Sequence, residues 1–198
     1  MKNPIASLIF VLTMIASLAQ AQVNKESSAH LTFKGVPIDG TLREYTLMME
    51  RNGFTQMGTE DGVSILQGDF ASYKKCVIGV ATLKQKDLVN RITVIFPEQD
   101  TWSNLSSNYF SVQEMLTEKY GKPSDNVKRF DGSEPRDDSS KMYEVKFDNC
   151  KYYTTYETEK GTIQLSIEHD GVIRCYVQLS YYDKINGEII RKNALGDL

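Results

Sequence analysis

Twice along this chain a segment with helical periodicity is followed by a string of short alternating segments, in the same order each time. That repetition restricts the fold more than any single motif does. A helix laid across antiparallel strands buries one sheet face and leaves the other wet. Two such units side by side make one continuous sheet. The expected class is therefore α+β, an antiparallel sheet from two helix-plus-meander units with the helices packed on one face.

Residues 31–54, LTFKGVPIDGTLREYTLMMERNGF, open the first unit. Thr41 and Glu44 have the spacing of a capping box, in which the hydroxyl accepts from one free N–H and the carboxylate reaches back to another. Leu42, Tyr45 and Met49 then recur at helical spacing with Met48 beside them. Gly53 suits the left-handed backbone that closes a helix, with Phe54 folding back on it. Leu31, Phe33 and Val36 are strand-like, and residues 37–40 read as a turn. After the helix, 55–62 reads as a short strand and turn, and 63–70 as a strand with Gly68 at a bulge. In 74–83, Cys76, Ile78 and Val80 face one way and Val77, Gly79 and Ala81 the other. Residues 84–87 turn the chain into 88–96, where Ile92, Val94 and Phe96 alternate with Arg91, Thr93 and Ile95.

The second unit repeats the order. Trp102, Leu105, Tyr109, Val112, Leu116 and Tyr120 predict a helix over 102–120, ended by Gly121 and Pro123. The charged stretch 125–142, with DGSEPRDDSSK at its centre, reads as a mobile loop. Strands are expected at 142–147, 150–158, 162–168 and 172–182, with Ile163, Leu165 and Ile167, then Cys175, Val177, Leu179 and Tyr181, turned inward. Residues 169–171 form a tight hairpin turn, and Asn186 caps a short terminal helix. Arg91-Ile92-Thr93-Val94 and Arg174-Cys175-Tyr176-Val177 occupy matching places in the two units.

The chain begins with a targeting pattern: Lys2, an apolar run over 5–18, and Ala19-Gln20-Ala21 as a small-x-small cleavage site. The run is shorter than the ~20 residues that span a bilayer. The expectation is a signal peptide at 1–21, a flexible lead-in at 22–30 and a single α+β domain over 31–198, with halves of about 31–97 and 98–198. No cysteine follows the cleavage site for lipid attachment, and no later segment is apolar enough for membrane insertion. The product is expected to be soluble and exported, periplasmic or secreted. Its formal net charge of −3 becomes about −4 without Lys2. A weakly acidic chain without a basic block is not built for nucleic acid or an anionic membrane.

Motifs for chemistry are missing. The chain has two histidines, His30 in the lead-in and His169 in the hairpin turn. It has no His-x-x-x-His, no Gly-x-Ser-x-Gly and no glycine-rich phosphate loop. No catalytic residue, metal site or cofactor is assigned. Asp131, Glu134, Asp137 and Asp138 lack calcium-loop spacing. Glu144, Asp148, Glu157 and Glu168 fall on strands or their ends instead of pairing in a cleft. Cys76, Cys150 and Cys175 allow one disulfide in an oxidising compartment, with the third thiol left over or paired between chains and the pairing open. Their alternative is three free thiols acting as small apolar residues.

The candidate site is aromatic. Tyr176 and Tyr182 are expected on the outward face of their strand, with Arg174, Gln178 and Gln164 near them. Tyr156 and one of Tyr152 or Tyr153 add to the set. Tyrosine and arginine suit binding surfaces because they supply area at small entropic cost. The leading expectation is a non-enzymatic protein-binding module using an open Tyr-bearing sheet face, its partner another envelope or extracellular protein. The alternatives are a hydrolase acting on an envelope or dietary polymer, which needs a cleft with convergent ionisable groups, and a structural envelope protein joined through a strand edge.

The segments LTFKGVPIDGTL, GDFASYKKC, VIFPEQDTWSNL and LTEKYGKP resemble a family of secreted proteins from Gram-negative gut bacteria that carries no assigned activity. The resemblance covers nearly the whole mature chain. The repeated pattern is also similar in architecture to the β-lactamase-inhibitor-protein fold and to small outer-membrane assembly lipoproteins. The lipid-attachment cysteine of the lipoproteins and the paired short-loop cysteines of the inhibitor are absent here.

Overall fold

Local chemistry sets the helix ends. Thr41 Oγ1 accepts from the Glu44 N–H at 3.3 Å while the Glu44 carboxylate accepts the Thr41 N–H at 3.1 Å, so the capping box forms and starts α1 (Leu42–Arg51). Gly53, at φ +90°, follows its end. Thr101 caps α2 (Trp102–Tyr120), and Gly121 ends it. These elements come from a computed structural model that describes residues 28–83 and 86–196. The expected signal peptide at 1–21 and lead-in residues 22–27 lie outside them.

Ahead of α1, β1 (Thr32–Phe33) and β2 (Val36–Pro37) form a two-stranded sheet. The first unit continues with β3 (Thr55–Glu60), β4 (Val63–Phe70), β5 (Tyr73–Leu83) and β6 (Lys86–Ile95). After α2 come β7 (Asp125–Phe130), α3 (Asp138–Lys146), β8 (Cys150–Thr158), β9 (Gly161–Asp170), β10 (Arg174–Asp183) and α4 (Lys184–Gly196). The strand order is β3-β4-β5-β6-β10-β9-β8-β7, antiparallel throughout. Two four-stranded meanders thus join edge to edge through β6 and β10, from Gln178 opposite Ile95 to Tyr182 opposite Arg91. The order reads the same from either edge, which relates the two units by a pseudo-twofold between β6 and β10. The fold is α+β with one large antiparallel sheet.

Alternation decides which face is covered. Cys76, Ile78 and Val80 on β5, Ile92 and Val94 on β6, Val177, Leu179 and Tyr181 on β10, and Ile163 and Leu165 on β9 are buried. Tyr45 and Met49 of α1 and Leu105, Tyr109, Val112 and Leu116 of α2 complete that core. Each such side chain contributes about 1.5–3 kcal/mol by leaving water. Phe33 of β1 joins the units, with its ring centroid 5.1 Å from Phe70 and 5.4 Å from Tyr181.

Five expectations about the fold are corrected. The stretch 125–142 is no mobile loop: it holds β7 and the start of α3. The strand expected at 142–147 is helical. Asp137 accepts the Ser140 N–H at 2.8 Å and both Ser139 and Ser140 hydroxyls, an N-cap that starts α3, while Met142 and Val145 face the core. Val172 and Ile173 belong to the β9–β10 turn and are exposed, since pairing resumes at Arg174 opposite Asp170. The cap of α4 is Asp183, whose Oδ1 accepts the Asn186 N–H at 2.9 Å. His30 is not in a free lead-in, because its ring lies 3.1 Å from Asp183 Oδ1 and 3.5 Å from Asp39 Oδ2.

Candidate functional site

The pairing register places the outward residues of the sheet row by row. On β10 the series is Arg174, Tyr176, Gln178, Ser180 and Tyr182. Tyr176 stands opposite Glu168, Gln178 opposite Ser166, and Tyr182 between Thr162 of β9 and Arg91 of β6. Tyr176, Gln178 and Tyr182 are half-buried and Arg174 is exposed. All four therefore share the face that the expectation gave them. Arg174 is held locally, by Asp170 across the hairpin and by Glu98 at 3.8 Å. Burial, and then the Glu168 carboxylate, push the Tyr176 phenol above its ordinary value.

The tyrosines do not merge into one ring cluster. Tyr176 and Tyr182 lie six residues apart on one strand, about 20 Å, with Gln178 and Ser180 between them. Tyr156 is a correction. It is 1% exposed and faces the helices, where its hydroxyl lies 2.8 Å from Thr117 Oγ1 and 3.1 Å from the Gln113 carbonyl. Its partner across the ladder is Ile163, an inward residue. Tyr152 also faces inward, against Trp102 and Tyr109. Tyr153, opposite Ser166, is the β8 tyrosine on the outward face.

An apolar strip lies beside this row. Val63 and Ile65 of β4, Val77 of β5 and Ile95 of β6 point outward and are half-buried. Ile65 is paired with Gly79, and Val77 lies between Gln67 and Ile95. Ile95 in turn pairs with Gln178, which makes the strip continuous with the β10 row. Strand β5 is thus apolar on both faces. The signal was present in the alternation of 74–83, where both parities carry aliphatic residues.

Among the described residues, the carboxylates with displaced acidities are displaced downward: Glu44 by the Thr41 N–H, Asp69 by Lys74, Asp137 by the Ser139 hydroxyl, Asp138 by the Ser103 hydroxyl, and Asp148 by His169. A general acid needs the opposite displacement. His169 does more than face water, since its Nε2 lies 2.9 Å from Asp148 Oδ1 and its Nδ1 2.7 Å from the Gly171 carbonyl. Among the described residues, no three His, Cys, Asp or Glu side chains are grouped to hold a metal.

The three cysteines are free. Cys76 lies on β5, Cys175 on β10 and Cys150 on β8, with β6 and β9 intervening. Two strand spacings are about 9.5 Å, beyond the ~7 Å between Cα atoms that a disulfide bridges. The intramolecular disulfide is therefore replaced by the free-thiol alternative.

A scan against protein-family models, a search of curated proteins and a search of solved structures each find no match to this chain.

Proposed function

We propose that this chain is an exported, non-enzymatic protein-binding module that docks an envelope or extracellular protein on its uncovered sheet face. The observation that carries the reading is the two-sided apolar character of β5. Its inner row of Cys76, Ile78 and Val80 is buried, while Val77 and its neighbours Ile65 and Ile95 stay half-exposed on the other side. A contiguous apolar patch on a soluble surface marks an interaction site. Tyr176, Gln178 and Tyr182 border it, and Arg174, Glu168 and Gln164 give it a polar rim, the usual layout of a protein interface. The breadth of an eight-stranded sheet favours a macromolecular partner, because small ligands prefer concave sites. The N-terminal pattern of Lys2, an apolar run and Ala19-Gln20-Ala21 supports export.

The test is affinity capture from envelope and culture-medium extracts with three forms of the protein: wild type, Ile95→Glu and Tyr176→Ala. The reading expects a partner held by wild type, lost with Ile95→Glu and weakened about tenfold with Tyr176→Ala, a change of about 1.4 kcal/mol. Circular dichroism checks that both variants keep the fold. Equal recovery of every partner by all three forms would remove the proposal.

A further inference from the structure

The pseudo-twofold between the units is broken by α3. In the second unit α3 fills a corner made by the first turn of α2, the β7–β8 connection and the β9–β10 hairpin. Asp138 at its start accepts the Trp102 and Ser103 N–H groups at 2.8 and 2.7 Å. Met142 and Val145, three residues apart, are its buried contacts. Past its end, Asp148 meets His169 of the hairpin.

The corresponding corner of the first unit lies between the start of α1, the β3–β4 turn and the end of the β5–β6 hairpin. The β3–β4 connection there is only Asp61 and Gly62, with no room for a helix. The corner is instead a groove of about 1110 Å³, lined by Leu42, Thr46, Leu47 and Glu50 of α1 together with Gly62 and Thr82. A helix as long as α3, nine residues, is about 13 Å long and about 10 Å across, roughly 1,000 Å³. The sizes agree.

The chemistry of the groove also fits a seat without its occupant. Leu47 is 44% exposed although it lies on a core-packing helix. Thr46 is 5% exposed, yet its hydroxyl has no hydrogen-bond partner. Arg43, Glu50, Asp61 and Lys86 stand on the walls, and among the described residues none has an ion-pair partner. The start of α1 is already satisfied, because Asp87 accepts the Leu42 N–H at 2.8 Å, as Asp138 does for α2.

We propose that this groove receives a short amphipathic helix from another protein, seated as α3 is seated in the second unit. The occupant places two apolar residues, three or four positions apart, against Leu42 and Leu47. A polar side chain meets the Thr46 hydroxyl, a basic residue meets Glu50 or Asp61, and an acidic one meets Arg43 or Lys86. The groove lies on the helix-bearing side, so it stands apart from the sheet face proposed above.

The probe is a phage-displayed library of twelve-residue helical peptides, selected on the folded protein. Enriched peptides are expected to share an apolar pair at helical spacing. Their binding should fall at least tenfold with Leu47→Asp or Lys86→Glu and stay unchanged with Ile95→Glu. Both groove positions are exposed, so these substitutions leave the fold intact. The proposal is overturned if nothing enriches, if binding survives Leu47→Asp, if the selected peptides lie extended along β3, or if only Ile95→Glu abolishes binding.

Discussion

Asp183 and Leu31, 152 residues apart, meet at 2.8 Å, where a carboxylate 2% exposed accepts the Leu31 N–H. The same carboxylate accepts the Asn186 N–H, and the Asn186 side-chain amide donates to the Ile38 carbonyl at 3.1 Å and the Val89 carbonyl at 2.8 Å. One buried corner thus ties the first strands to β6 and to the end of β10. Asp183→Ala leaves the Leu31 and Asn186 N–H groups without an acceptor. Each orphaned buried donor costs about 1–3 kcal/mol, so a total loss of about 2–6 kcal/mol is expected from urea denaturation at unchanged slope. Asp170→Ala, at an exposed ion pair, should lose less than about 1 kcal/mol. Similar losses for the two variants would show that the corner is not a latch.

Phe54 lies over Gly68, where the β4–β5 register shifts, and a Cβ on Gly68 would overlap the ring. Gly68→Ala should therefore cost about 1–3 kcal/mol through overpacking. In a Phe54→Leu background the same substitution should cost less than half as much. The double-mutant cycle reads this directly, since residues in contact are not additive. Strict additivity would place the strain elsewhere.

What could be read from the sequence, and what could not, separates along physical lines. Thr41, Glu44 and Gly53 act within a few residues of one another, so the ends of α1 were legible. The alternation of 162–168 likewise identifies the inner face of β9. Helix α3 was hidden because only Met142 and Val145 mark its buried side, and its start is held by contacts with Trp102 and Ser103 from a distant helix. In β8, tyrosines occur on both parities, at 152, 153 and 156. Only pairing with β9 decides that Tyr153 is outward and Tyr156 inward. The groove beside α1 depends on comparing two units in space, and no local pattern announces it.

His169 and Asp148 hold the β9–β10 hairpin to the end of α3, and their acidities move in opposite directions. The Asp148 carboxylate, then the Gly171 carbonyl, raise His169 above its ordinary 6.5. The ring in turn lowers Asp148 below 3.8. The histidine contribution is complete below about 6.5 and is lost as pH rises through its higher folded value. The carboxylate contribution is present above 3.8 and is lost as pH falls through its depressed folded value. The contact is therefore strongest between about pH 4 and 6.5, and it is weak, because Asp148 is 83% exposed and solvent screens the pair. Titration of the His169 ring proton by NMR should show a midpoint that drops toward 6.5 in Asp148→Asn. Unchanged midpoints would mean that the pair does not form in solution.

The thiols offer the last check on strand order. Burial pushes Cys76 to about 11 and Cys150 to about 12, and raises Cys175 as well. Thiols so placed hold little thiolate at pH 8, and thiolate is the reactive form. The folded protein should therefore resist iodoacetamide at that pH. Once unfolded in guanidinium without any reductant, it should take up three adducts by intact mass, because β6 and β9 keep the thiols too far apart to have bridged. Uptake of one adduct would mean that two of the cysteines had paired. It would put two strands in contact that this sheet separates, so the measurement tests whether β6 and β9 stand between the thiol-bearing strands.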